Sequence, residues 1–177
     1  MNSKIFTHEF KTSFGELFLG SFEEKLCLCD WKYRQKRVSI DNRLQTFFQS
    51  EYVPQKTKTI SESIQQLEEY FSGKRKEFSI PLVMAGTEFQ KSVWNELLRI
   101  PFGQTCSYLQ LSHNLKNPKA IRAIASANGA NAISIFIPCH RIVGHSGDLV
   151  GYAGGIPTKR RLLELENPKE QGLFSTI

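Results

Sequence analysis

Nowhere does the 177-residue sequence reach the ~18 consecutive apolar residues that a membrane-spanning helix needs. Its first ten residues, MNSKIFTHEF, have no long apolar segment behind the first lysine, so they read as neither a signal peptide nor a transit peptide. Both absences argue for an intracellular, reducing compartment and against a membrane protein. Cysteine is scarce: Cys27, Cys29, Cys106 and Cys139 are the only four, and in such a compartment they read as free thiols rather than a disulfide framework. Acidic residues are also short, 17 against 23 lysines and arginines, for a formal charge of +6. That imbalance favours an anionic partner, nucleic acid before membrane surface. There is no internal repeat and no low-complexity tract. What remains is 40% hydrophobic and 11% aromatic, enough for a buried core in one ordinary domain or two small ones.

Residues 4–10, 14–20 and 26–33 mix alternation with β-branched and aromatic side chains and read as strands separated by short turns. Residues 40–49 read as a short helix. In 60–71 the recurrence of Ile60, Ile64, Leu67 and Phe71 predicts a longer one, stopped by Gly73. Residues 77–82, EFSIPL, suggest a further strand. Near Ala85-Gly86 the texture changes, which places an α+β domain at 1–84 and a second, helical domain at 85–177. Thr87 is a plausible N-cap for a helix whose apolar stripe is Phe89, Val93, Leu97 and Leu98, with Pro101 as its stop. Helices are expected at 107–114, at 118–128 with Pro118 in the first turn, and at 157–166. The middle pair suggests a helix-turn-helix with Lys119 and Arg122 outward and Ile121, Ile124 and Ala125 inward. On the pattern alone, an ordinary helical hairpin is the favoured reading.

One stretch raises a chemical question. ISIFIPCHRIVG, residues 133–144, carries Cys139 beside His140 at the end of an apolar run. A thiol attacks only as thiolate, and a free cysteine titrates near 8.5, so a nearby base or positive charge is required. Successive side chains of an extended segment point to opposite faces. A Cys139–His140 pair therefore needs a turn, which Pro138 invites, or a bridging water. The imidazole needs an acceptor to orient it, and Glu164, Glu166 and Asp148 are the candidates. Taken alone, a cysteine in an apolar run such as this reads first as an inert core residue. His140-Arg141 and the glycines at 144, 147, 151, 154 and 155 tilt the reading toward a pocket.

IPCHRIV followed by GYAGG and KRRLLELE closely resembles the methylated-DNA–protein-cysteine methyltransferases, the O6-alkylguanine-DNA repair family. GTEFQKSVWNELLRIPFGQTCSY, NPKAIRAIASANGAN and YFSGKRKEFSIPL fit the same series in the same order, over roughly residues 68–166. The resemblance implies a ribonuclease H-like N-terminal α/β domain and a helical, winged-helix-like C-terminal domain carrying the helix-turn-helix. It implies single-turnover direct reversal of DNA damage, with the alkyl group of O6-alkylguanine moved onto Cys139. His140 would act as base through a water, Glu166 would orient His140, and Asn131 would brace the turn beside them. Tyr108 would help flip and bind the nucleotide, Arg122 would fill the gap in the stack, and Tyr152 would line the base pocket. Ser107 and Asn117 join the substrate- and DNA-binding set. The partner would be double-stranded DNA, with acceptance of O4-alkylthymine left open. No cofactor and no membrane are implied, the chain would act as a monomer, and the location would be the cytoplasm, or the nucleus in a eukaryote. The sequence departs from some relatives at Ala132 and Ser134, where they have prolines. Some members bind zinc in the N-terminal part. Here Cys27, Cys29 and His8 form only a partial set and read as structural, so no metal is expected.

Overall fold

The computed structural model describes residues 4–170, and they divide into two compact units that meet between Gly86 and Thr87. The first unit is built on a four-stranded sheet. β1 (Ile5–Thr12), β2 (Gly15–Phe22) and β3 (Lys25–Trp31) form an antiparallel meander, and a short β4 (Tyr52–Pro54) joins the other edge of β1 in parallel, for an order β3-β2-β1-β4. Glu23 and Glu24, both at positive φ, make the two-residue turn between β2 and β3, the twist a tight hairpin needs. Helix α1 (Arg37–Phe48) precedes β4. Helix α2 (Lys58–Phe71) follows it, capped by the Thr57 hydroxyl, which accepts from Ile60 N–H. Its inward face is Ile60, Ile64, Leu67 and Tyr70, packed on β1, β2 and β3. Phe71, expected in that stripe, is only half-buried and stacks on Phe14 instead.

EFSIPL does not form the expected strand. Its one ladder contact is a bridge at Leu82, with Leu26 N–H donating to Pro81 O and Val83 N–H to Leu26 O. Pro81 has no N–H to extend the pairing, so the segment stays irregular.

The second unit is helical. α3 (Glu88–Leu97) opens with a full capping box, Thr87 and Gln90 each satisfying the other's backbone N–H. Val93, Trp94 and Leu97 are its buried face, while Phe89 and Leu98, placed in the apolar stripe by spacing, are exposed. A two-residue strand β5 (Cys106–Ser107) leads into α4 (Tyr108–Asn114), and α5 (Ile121–Gly129) follows. Pro118 lies in the connecting turn rather than in the helix, because Ala120 N–H closes back on Asn117 O there. α5 packs on both α3 and α4, and Trp94 Nε1–H donates to Ala127 O at 2.8 Å, tying α3 to the end of α5. Ile124 and Ala127 face inward as the period demands; Ile121 is exposed and Ala125 half-buried, so the inward face is narrower than expected. Lys119, Arg122, Ala123 and Ser126 lie on the exposed side. β6 (Ile142–Val143) pairs in parallel with β5, and α6 (Ile156–Glu166) closes the unit. Among the described residues no helix is long and apolar enough to cross a membrane.

Candidate active site

All the polar machinery singled out around Cys139 lies in the second unit, at the junction of β6, α6 and the segment 131–141. That segment is wound tightly. Pro138 adopts φ −80° and ψ 59°, with Cys139 N–H donating to Ile137 O at 2.8 Å, an inverse γ-turn. Residues Cys139–Arg141 continue as a single 3-10 turn, so the departure from extended geometry invited by Pro138 is real. Ile135, β-branched and buried, sits at φ +75°, a conformation that stores strain of roughly 1–3 kcal/mol. Asn131 holds the turn against that strain. Its Oδ1 accepts from Ile133 N–H at 2.9 Å, and its Nδ2 donates to Ile137 O at 3.0 Å and to Cys139 Sγ at 3.2 Å. An N–H aimed at sulfur favours the anionic form.

His140 is wholly buried and Glu166 nearly so. His140 Nε2 meets Glu166 Oε1 at 2.7 Å. Burial keeps the imidazole below its ordinary titration range, more strongly than Glu166 raises it. A neutral ring then donates Nε2–H to the carboxylate and keeps its lone pair at Nδ1. Nδ1 is buried with no protein hydrogen-bond partner among the described residues, so the sulfur is not bonded to it directly. Glu166 accepts four hydrogen bonds: from His140, from Arg141 Nε (2.8 Å) and Nη2 (3.0 Å), and from Gly103 N–H (3.1 Å). Burial pushes its carboxyl up, but His140 and Arg141 outweigh that and hold it well below the usual carboxylate range. Of the three acceptors compatible with the sequence, Glu166 is the one on the imidazole. Glu164, on the same helix, and Asp148, in the glycine-rich loop, are both half-buried.

Tyr108 begins α4, half-buried, and its hydroxyl accepts from Asn128 Nδ2 at 3.2 Å. Burial raises its phenol, and the nearby Cys139 adds to that rise. Ser107 is the N-cap of α4, its Oγ accepting from Gln110 N–H at 3.1 Å, so its observed task is to hold Tyr108 at the helix start. Tyr152 stands edge-on to His140, ring centroids 6.3 Å apart. Arg122 and Asn117 are exposed, one on α5 and the other in the turn before it.

Lys159 is the first of three consecutive basic residues opening KRRLLELE in the last helix, and nothing in that motif assigned it a role. It has no exposed surface, and its Nζ donates to Ile142 O and Val150 O, lashing the glycine-rich loop to α6. Burial pushes its ammonium down to about 8, with Cys139 opposing. The signal was there: Lys159, Leu162, Leu163 and Glu166 share one helical face. Arg141, singled out beside His140, is a structural anchor: its guanidinium grips Glu166 and also donates to Ile100 O at 2.6 Å.

The other three thiols lie in different surroundings. Burial pushes Cys27 up to about 12 and Cys29 well above its ordinary value, and raises half-buried Cys106. Cys27 Sγ donates to Gly20 O at 3.3 Å. Among the described residues no group of three His, Cys, Asp or Glu side chains converges as a metal site would.

A thiol braced by an amide, an imidazole with a free lone pair and a carboxylate behind it are the parts that a cysteine nucleophile with a base and an orienter requires. This class of site sits here beside a pair of short helices with a basic exposed face. Residues 5–84 match the 6-O-methylguanine DNA methyltransferase ribonuclease-like domain, and residues 88–168 match the DNA-binding domain of the same proteins. A methylated-DNA–protein-cysteine methyltransferase of Methanosarcina acetivorans is 40% identical over 157 residues, 89% of this chain and 95% of its own. The crystal structure of Mycobacterium tuberculosis OGT in complex with DNA superposes with a TM-score of 0.79 at 36% identity, covering 93% of this chain and 94% of that one. That of the M. tuberculosis O6-methylguanine methyltransferase gives 0.77 at 37% identity, covering 94% and 93%. The chain belongs to the methylated-DNA–protein-cysteine methyltransferase family.

Proposed function

We propose that this protein repairs DNA by direct reversal, taking the alkyl group of O6-alkylguanine onto Cys139. The observation that carries the reading is the Asn131–Cys139 and His140–Glu166 arrangement, the one thiol environment of the four in which an amide N–H faces the sulfur beside a neutral imidazole.

The base of a paired nucleotide hides its O6 substituent in the stack, so the lesion must be everted, at a cost of a few kcal/mol that is smaller for a damaged pair. α4 and α5 act as the helix-turn-helix. Small residues on α5, Ala123 among them, let the helix approach a minor-groove wall, and exposed Arg122 enters the stack in place of the lost base. Lys119, exposed in the preceding turn, and other basic residues hold phosphates without sequence preference. The everted purine lies against Tyr152 and the glycine-rich loop.

The thiol proton passes through a water to His140 Nδ1, and Glu166 stabilises the imidazolium that results. The sulfur lone pair attacks the alkyl carbon, the S–C bond forms as the C–O6 bond breaks, and the bonding electrons leave with the purine. Tyr108 donates its phenolic proton to that developing anion. The product is a thioether that no neighbouring group can cleave, so each molecule acts once. The chemistry requires Cys139 to stay reduced, which supports a cytoplasmic location.

Incubation with duplex containing O6-methylguanine is expected to add one methyl to the Cys139 peptide, one per molecule, read by intact and peptide mass spectrometry. An adduct on another cysteine, none at all, or multiple turnovers would overturn the reading.

A further inference from the structure

Asn128 has no part in the chemistry above, yet it is only 6% exposed and donates Nδ2–H to the Tyr108 hydroxyl at 3.2 Å. Its other amide atom, Oδ1, is buried with no partner among the described residues. Asn128 lies in the last turn of α5 and Tyr108 at the first residue of α4, so this contact spans the two helices assigned to DNA.

A phenol has one proton to give. If its oxygen accepts from an amide N–H, that proton is left for another acceptor; if it faces an amide oxygen, the proton is consumed there. The orientation of Asn128 is the first of these. An N–H donated into the oxygen also strengthens the phenol as a donor, because hydrogen bonds in a chain polarise one another. Building on the alkyl-transfer reading, we infer that Asn128 is a positioning residue: it fixes the Tyr108 hydroxyl as a donor toward the everted purine, so that the leaving base receives the phenolic proton. Its action runs wholly through Tyr108. The buried Trp94 Nε1–Ala127 O bond one residue earlier holds the α5 backbone that presents it.

The test compares Asn128→Ala and Asn128→Asp in single-turnover transfer from O6-methylguanine duplex. Asn128→Ala removes the donor; Asn128→Asp substitutes an acceptor that captures the phenolic proton. Transfer is expected to slow roughly fivefold in the first and roughly fiftyfold in the second, within the range of one misdirected proton donor. Duplex affinity should stay within about twofold of wild type, since the effect is on the reacting complex. On a Tyr108→Phe background, neither substitution should slow the residual transfer further. Equal slowing by Ala and Asp, no slowing by Asp, or full effects persisting on the Phe background would each overturn the inference. Absence of transfer by the wild-type protein would instead overturn the functional reading beneath it. A measurement without any substitution at position 128 guards against misfolded variants. The side-chain amide resonances of Asn128 should shift when Tyr108 becomes Phe, and unchanged resonances would overturn the contact.

Discussion

Glu166 accepts hydrogen bonds from an imidazole, both arms of a guanidinium and a backbone amide, which leaves its carboxylate saturated in a place closed to water. Removing one partner of such a buried charged group costs more than the net worth of the pair, because the other partner is left uncompensated. Glu166→Gln sets an N–H2 against Arg141 or His140, whichever way the amide turns. It is expected to slow transfer by roughly 10²-fold or more and to lower stability by about 3–5 kcal/mol, read by single-turnover kinetics and urea unfolding. Wild-type rates in this variant would show that His140 needs no orienter. Asn131→Ala is expected to act on the sulfur and the turn at once: it removes the N–H to Cys139 and releases the strained Ile135 turn. Both transfer rate and thermal stability should fall; a loss of rate alone would mean the turn is held by other contacts.

At the scale of elements, the contact between residue 103 and the end of α6 has no tolerance. Gly103 sits at φ +76°, and a Cβ there would lie 3.0 Å from Glu166 O. Gly103→Ala is expected to destabilise by about 1–3 kcal/mol through the left-handed backbone alone and to slow transfer by loosening Glu166, measured by the same two assays. α5 makes a different demand. If Arg122 serves only to fill the stack, Arg122→Ala should slow transfer from duplex strongly, while transfer from an alkylated guanine base free in solution stays at the wild-type rate. Equal losses on both substrates would place Arg122 in the base pocket instead. The boundaries of these helices were the least legible part of the sequence. Pro118 and the exposed Ile121 misplaced the start and inward face of α5, because a turn closed by Ala120 and Asn117 backbone groups leaves no side-chain signal.

For the whole molecule, the buried ionisable groups set how stability follows pH. His140 titrates lower folded than unfolded, so between its folded value and about 6.5 the unfolded chain binds more protons and acid favours unfolding. Glu166 is also held down, so its contribution is present above about 4.3 and is lost as pH falls below that. Lys159, a cation pushed down to about 8, makes stability rise again as pH climbs from about 8 toward 10.4. Urea midpoints across pH 4–10 should therefore climb in those windows, and a flat profile from 6.5 down to 4 would contradict the buried His140–Glu166 pair. Binding to undamaged duplex should weaken steeply with salt, as expected when a chain of charge +6 displaces counterions from phosphates; salt-independent binding would remove phosphates from the interface.

The Cys139–His140 pair, the helical and sheet-forming halves and the excess of positive charge were legible from residue order, because covalent adjacency and periodicity act locally; the roles proposed for Cys139 and His140 rest on the family resemblance. Local pattern also named Thr87 as a cap and Ile60, Ile64 and Leu67 as a buried stripe. It left three acceptors open for His140 and gave Lys159, Gly103 and Asn128 no special standing. Those depend on which groups meet across 17 to 63 residues of chain, from the Lys159–Ile142 contact to the Gly103–Glu166 contact. Which lone pair is free, which proton is directed and which charge is stripped of water are properties of that meeting, and only the packed structure decides them.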